Sequence, residues 1–171
     1  MAPGDRRTLE TWTLTRGGTI ARVFAGQVWI ANNLGNLDHF DPAGTAGPAT
    51  PILDGLGTGL PALAFDGTSI WHGGASSPNL ARYPVGSPSA TIQSLGANIL
   101  GMAFDGTNMW VLLSDKRLLK MDTTGAVVET VTLPNTATDC RMIFDGTNIW
   151  IPPKPSRTFN SLIPRPSTGG T

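Results

Sequence analysis

The chain has 171 residues, with twelve basic and twelve acidic side chains and a formal net charge of zero. That balance argues against a polyanion partner, because nucleic-acid binders carry a basic excess. Hydrophobic residues at 40%, charged residues at 14%, 21 glycines and 14 prolines exclude a highly charged disordered chain and point to a turn-rich β protein of single-domain size.

From the N-terminus, residues 1–8 lack the apolar stretch of a secretory signal and read as an extension. No run approaches the roughly eighteen apolar residues of a membrane span. The first strand-like segment is Glu10-Thr11-Trp12-Thr13-Leu14. A unit of four short strands, a to d, then follows. Strand a covers 20–24, and b carries Trp29 after an Ala25-Gly26 turn. Strand c holds Leu37 and Phe40 after a polar loop, and d is an alternating segment at 49–53.

The second unit places a at 62–65, Trp71 on b, Leu80 and Tyr83 on c, and d at 90–95. The third has a at 101–104, Trp110 on b, Leu118 and Met121 on c, and d at 129–133. The fourth has a at 141–144, Trp150 on b, and Phe159 and Leu162 on c. Ala64-Phe65-Asp66-Gly67-Thr68-Ser69-Ile70-Trp71 thus returns as Ala103-Phe104-Asp105-Gly106-Thr107-Asn108-Met109-Trp110 and as Ile143-Phe144-Asp145-Gly146-Thr147-Asn148-Ile149-Trp150. Val23-Phe24-Ala25-Gly26-Gln27-Val28-Trp29 is a decayed copy. The tryptophans stand 42, 39 and 40 residues apart. Asp-Gly between apolar runs is a strong hairpin signal, while frequent Gly and Pro disfavour helix. The last residues, 163–171, read as a flexible tail.

A sheet that cannot bury its own faces does so by stacking on copies of itself. The expected fold is therefore all-β: a small β-propeller of about four four-stranded blades over residues 9–162. The fourth unit lacks a d strand. Residues 10–14 match Glu129-Thr130-Val131-Thr132-Leu133 at four of five positions, so the N-terminal strand is expected to close the last blade. Three arrangements stay open: a complete four-bladed ring, an arc completed by a second chain, and a piece of a longer product.

The repeated residues read as architecture. The Phe and Trp sets pack blade on blade, with an aromatic ligand cage as the alternative. Asp66, Asp105 and Asp145 read as turn residues whose carboxylates bond nearby amides, and Asp-Gly-Thr-Asn alone supplies too few oxygens for a calcium loop. The non-repeated loop residues are the candidate ligand-binding set: Asn32, Asn33, His72, Ser76, Asn79, Asp115, Lys116 and Arg117. The b–c and d–a loops share one face of a propeller, and such side chains can bond a protein or a glycan. Ordinary solvated turns are the competing reading. His72 follows a repeat Trp where the other units have Ile30, Val111 and Ile151; it is either functional or a satisfied structural imidazole. Asp38 and His39 adjoin on one strand and point to opposite faces, so no Ser-His-Asp relay is indicated. Cys140, the only cysteine, reads as a small buried side chain. No phosphate loop, zinc-cysteine pairs or HExxH stretch is present, and no catalytic residue, metal or cofactor is expected.

The Phe-Asp-Gly-Thr-Asn-Ile-Trp signature resembles repeats of the YncE-like and virginiamycin B lyase-like β-propellers, over residues 9 to about 162. Larger members have about seven blades, a departure in size. Resemblance to the lyase would imply magnesium-assisted elimination by a histidine base, with a glutamate and histidines grouped on one face. Here His39, His72, Glu10 and Glu129 stand in different units or strand positions. The expected function is a non-catalytic binding or assembly module, with a phage virion, tail or surface-associated role as one version. A lyase-like enzyme and a partial propeller completed by a partner are the alternatives. A protein or glycan partner and self-association are compatible with this reading; nucleic acid and membrane are not.

Overall fold

The computed structural model describes residues 11, 13–14, 18, 20–32, 34–45, 47–48, 50–53, 56, 61–87, 89–134, 142–151 and 160–162. Among them are fifteen strands and no helix. The first blade comprises β1 (Ile20–Phe24), β2 (Gln27–Ala31), β3 (Asn36–Phe40) and β4 (Thr50–Leu53). The second comprises β5 (Pro61–Phe65), β6 (Ser69–Gly74), β7 (Asn79–Pro84) and β8 (Thr91–Ser94). The third comprises β9 (Ile99–Phe104), β10 (Met109–Leu113), β11 (Arg117–Met121) and β12 (Val127–Thr132). The fourth comprises β13 (Ile143–Phe144), β14 (Ile149–Ile151) and β15 (Asn160–Leu162). Each blade is an antiparallel meander in chain order.

The apolar side chains form three separate layers, one at each junction between successive blades. Trp29, Leu37, Leu63, Ile70 and Tyr83 fill the first. Trp71, Leu80, Ile99, Met102, Met109 and Met121 fill the second. Trp110, Leu118, Met142, Ile149 and Ile151 fill the third. The second strands of the two middle blades are buried on both sides: β10 reads as an unbroken apolar run, and β6 as apolar or small residues interrupted by His72. The outermost strand β12 is almost wholly exposed. This gradient, buried at the second strand and wet at the fourth, follows from radial stacking of sheets.

In the second to fourth blades the Phe before the turn faces the preceding blade, and in the second and third the Trp faces the following one. The first blade differs. Its turn holds only Ala25 and Gly26, both with positive φ (50° and 77°), so Phe24 pairs with Gln27. In the second blade four residues separate Phe65 from its partner Ile70. The shorter turn reverses the parity of β1. Phe24 therefore joins Trp29 on the side facing the second blade and stacks on Phe65, with ring centroids 5.3 Å apart.

The N-terminal segment also touches the first blade. Thr13 forms an isolated parallel bridge with Pro48 of the first blade, its N–H donating to the Gly47 carbonyl at 2.9 Å. Among the described residues the fourth sheet has three strands, β13, β14 and β15. The expected pairing of residues 10–14 with the segment at 159–162 falls largely outside the described residues; the contact described at Thr13 is with the first blade. Glu10, Trp12, Cys140 and Phe159, like the proposed boundaries at 1–8 and 163–171, lie outside the described residues.

Candidate functional site

The turn carboxylates do more than bond adjacent amides. Oδ1 of Asp66 accepts from the Thr68 and Ser69 amides at 2.8 and 2.6 Å and from the Thr68 hydroxyl at 2.8 Å. Its Oδ2 accepts from the Trp71 indole N–H at 2.7 Å. Asp105 repeats the pattern with Thr107, Asn108 and Trp110, and Asp145 with Thr147, Asn148 and Trp150. In the first blade, where Ala25 replaces the aspartate, the Trp29 indole donates to the Phe24 carbonyl at a longer 3.3 Å. Burial alone would raise the Asp66 pKa. The Trp71 indole and the Thr68 and Ser69 donors outweigh it, and the carboxyl lies below its ordinary value. At Asp145 the Asn148 amide, the Trp150 indole and the Thr147 amide hold the pKa down to about 2. Asp66 accepts four hydrogen bonds and Asp105 and Asp145 three each, which leaves little for a ligand.

Sequence reasoning missed what strand c lays against the indoles of the first three blades. The residue opposite the Trp on strand c is His39, Arg82, Lys120 and Ser161 in successive blades. His39 stacks on Trp29 at 4.6 Å between centroids. Arg82 and Lys120 place their charges 5.7 and 5.4 Å from the Trp71 and Trp110 rings, a favourable cation–π geometry. The signal was available: the third residue of each Leu-x-x-apolar strand c is His, Arg or Lys in three copies. Arg82 also donates to the Thr123 carbonyl of the third blade, and Gln93 to Gly125 at 3.1 Å, latching the two middle blades at one rim.

The candidate binding residues separate by position. Asn32 is buried, and its Oδ1 accepts from the Leu34 and Asn36 amides, closing the first b–c loop. Asn33 lies outside the described residues. His72 is buried within β6, opposite Leu63 and Ala81, so it is a strand residue facing the first blade and not a loop residue. Ser76 is exposed at the tip of the second b–c loop, and the amide of half-buried Asn79 donates to the Ser77 hydroxyl. Asp115 and Arg117 pair at 2.7 Å. Arg117 also reaches the Leu95 carbonyl of the second blade at 2.9 Å. Between them Lys116 is exposed with φ 75°. Its counterpart in the first blade is Gly35, at φ 79°.

These loops gather on one rim. The b–c loop of the third blade bonds the connector before β9 through Ser114 to Asn98 at 2.9 Å, and the Ser77 carbonyl accepts from Ile99. Asp38 and His39 do face oppositely, one across from Ile30 and the other from Trp29. Burial lowers the His39 pKa, and the charge of Asp38 opposes the shift in part. His39 and His72 belong to different blades, and Glu129 to the outer strand β12. Among the described residues no three His, Cys, Asp or Glu side chains are grouped to hold a metal.

No family model matches the sequence, and no curated protein matches it. Solved structures match the fold. The WD40 domain of Toxoplasma gondii coronin superposes with a TM-score of 0.59 at 13% identity, over 82% of this chain and 45% of that one. A chain of the mitotic checkpoint complex gives 0.62 at 9%, over 75% and 44%. The computationally designed Ika4 protein gives 0.70 at 14%, over 91% and 98%. The chain thus spans under half the length of the first two. At these identities the likeness is one of fold, and with the stacked four-stranded meanders it defines a β-propeller. It does not single out the YncE-like or virginiamycin B lyase-like group.

Proposed function

We propose that this propeller is a non-catalytic binding module that receives a protein partner on the rim carrying the b–c loops. The observation that carries the reading is Lys116. A lysine is held at φ 75° on an exposed turn where the first blade uses glycine. Left-handed backbone is costly for a residue with a Cβ, and such strain concentrates where a side chain has a task. The Asp115–Arg117 pair and the Arg117 bond to Leu95 brace that turn against the second blade. The exposed side chains of Leu34, Ser76 and Asp115 lie on the same rim. One of the matched structures is of a complex, which agrees with a fold used as a docking platform.

The test compares partner capture by the wild type, Lys116→Gly, Leu34→Ser and an opposite-rim control, Thr107→Lys. Lys116→Gly is expected to leave the fold intact, or to stabilise it by about 0.5–1 kcal/mol. It should also reduce binding at least tenfold, as should Leu34→Ser, while the control binds normally. Capture that is unchanged by both rim variants, or lost only in the control, refutes this reading.

A further inference from the structure

Every junction between blades buries the tryptophan of the earlier blade under the later one. Trp29 is 5% exposed, Trp71 0% and Trp110 4%. The fourth blade breaks the series: Trp150 is only half-buried, and Ile143, which pairs with it across the strands, is 58% exposed. Met142, just before that strand, and Phe144 on it pack toward the third blade. Ile143 therefore points to the side where a following blade would lie. The first blade shows the complementary lack. The inner-strand positions that are buried in the second and third blades are exposed here at Ala21, Arg22 and Val23, and Val23 is 68% exposed. Phe24 faces the second blade, so by alternation Val23 faces the side of a preceding blade. Gly18 sits against Ile30 on that same side, and Val23 is open.

We infer that these two faces meet between two copies of the chain, the fourth blade of each docking on the first blade of the other to close a two-fold ring of about eight blades. The occupant is named by the chain's own interfaces. Three times in succession the face behind a repeat tryptophan receives the apolar front of the next blade, and the two unpaired ends are one of each kind. Closure within a single copy would bury both Val23 and Ile143, and both are open. The blade-to-blade geometry also suits a longer ring, since 82% of this chain overlays only 45% of the coronin domain. The inference is independent of what the rim binds.

Analytical ultracentrifugation of the full chain tests it. The wild type is expected at twice 17.9 kDa. Val23→Glu and Ile143→Lys alter side chains that are exposed in one copy, so circular dichroism should show each folded, yet each should sediment as a monomer. An equimolar mixture of the two variants should recover the dimer. In that pairing one junction sets Glu against Lys and the other is wild-type on both sides. A wild type that stays at 17.9 kDa at tens of micromolar overturns the inference. So does a dimer that survives both substitutions, open-ended polymer, or failure of the mixture to re-associate.

Discussion

In the second, third and fourth blades one carboxylate ties three things together: a reversing turn, the start of strand b, and the repeat indole. Asp66 accepts from two amides, a hydroxyl and the Trp71 N–H. Removing it leaves a buried indole donor unpaired and the turn unbraced. Asp66→Ala should cost about 3 kcal/mol, and Asp66→Asn less, in urea midpoints. The same bonds predict a pH dependence. The carboxyls of Asp66, Asp105 and Asp145 have folded pKa values below their ordinary ones, about 2 for Asp145. Between the folded and unfolded values the unfolded chain binds more protons, so stability falls as pH falls. The urea midpoint should hold down to roughly pH 4 and drop from there to pH 2, less steeply in Asp66→Asn; a midpoint that rises on acidification contradicts the assignment. The turn role of these aspartates was legible from Asp-Gly alone. The indole bond was not, because it depends on a side chain five positions away folding back across the hairpin.

At the level of strands, the four-unit division, the Trp-bearing second strand and the apolar pairs Leu37/Phe40, Leu80/Tyr83 and Leu118/Met121 follow from the forty-residue repeat; residues three apart on a strand face opposite sides, and Leu80 and Tyr83 enter the second and first layers accordingly. What periodicity could not convey is parity. A turn shortened to Ala25-Gly26 swaps the faces of β1, and only the register reveals it. The partner of Thr13 was equally hidden. Similarity between two short segments says that both suit a strand, and not which sheet edge each will find. Close approach between strands of successive blades was hidden too. A Cβ on Gly73 would stand 2.7 Å from Cδ1 and 3.0 Å from Cγ2 of Ile99 on the next blade. Gly73→Ala should therefore cost about 1–3 kcal/mol by overpacking. Combined with Ile99→Val, which removes the nearer atom, it should show a favourable coupling of at least 0.5 kcal/mol in a double-mutant cycle. Strict additivity would mean that the two blades yield freely at this point.

Over the whole molecule, stability is distributed unevenly, because each blade is held chiefly by its neighbours. The second and third blades have a neighbour on both sides. They also share the Arg82–Thr123, Gln93–Gly125 and Arg117–Leu95 latches. Among the described strands the first and fourth blades each have a neighbouring blade on one side, and β13 and β14 are only two and three residues long. Opening free energies should follow this order. In hydrogen exchange followed by mass spectrometry, residues 69–74 and 109–113 should be the slowest, 20–24 faster, and 143–151 faster again. The measurement belongs in the Val23→Glu chain as well as the wild type, because association would cover the outer blades and not the inner ones. A wild type in which 20–24 and 143–151 gain protection with concentration, while 69–74 does not, fits blades that stack at the chain's two ends. Equal protection across all four blades at every concentration would require a ring already closed within one copy, with Val23 and Ile143 under cover.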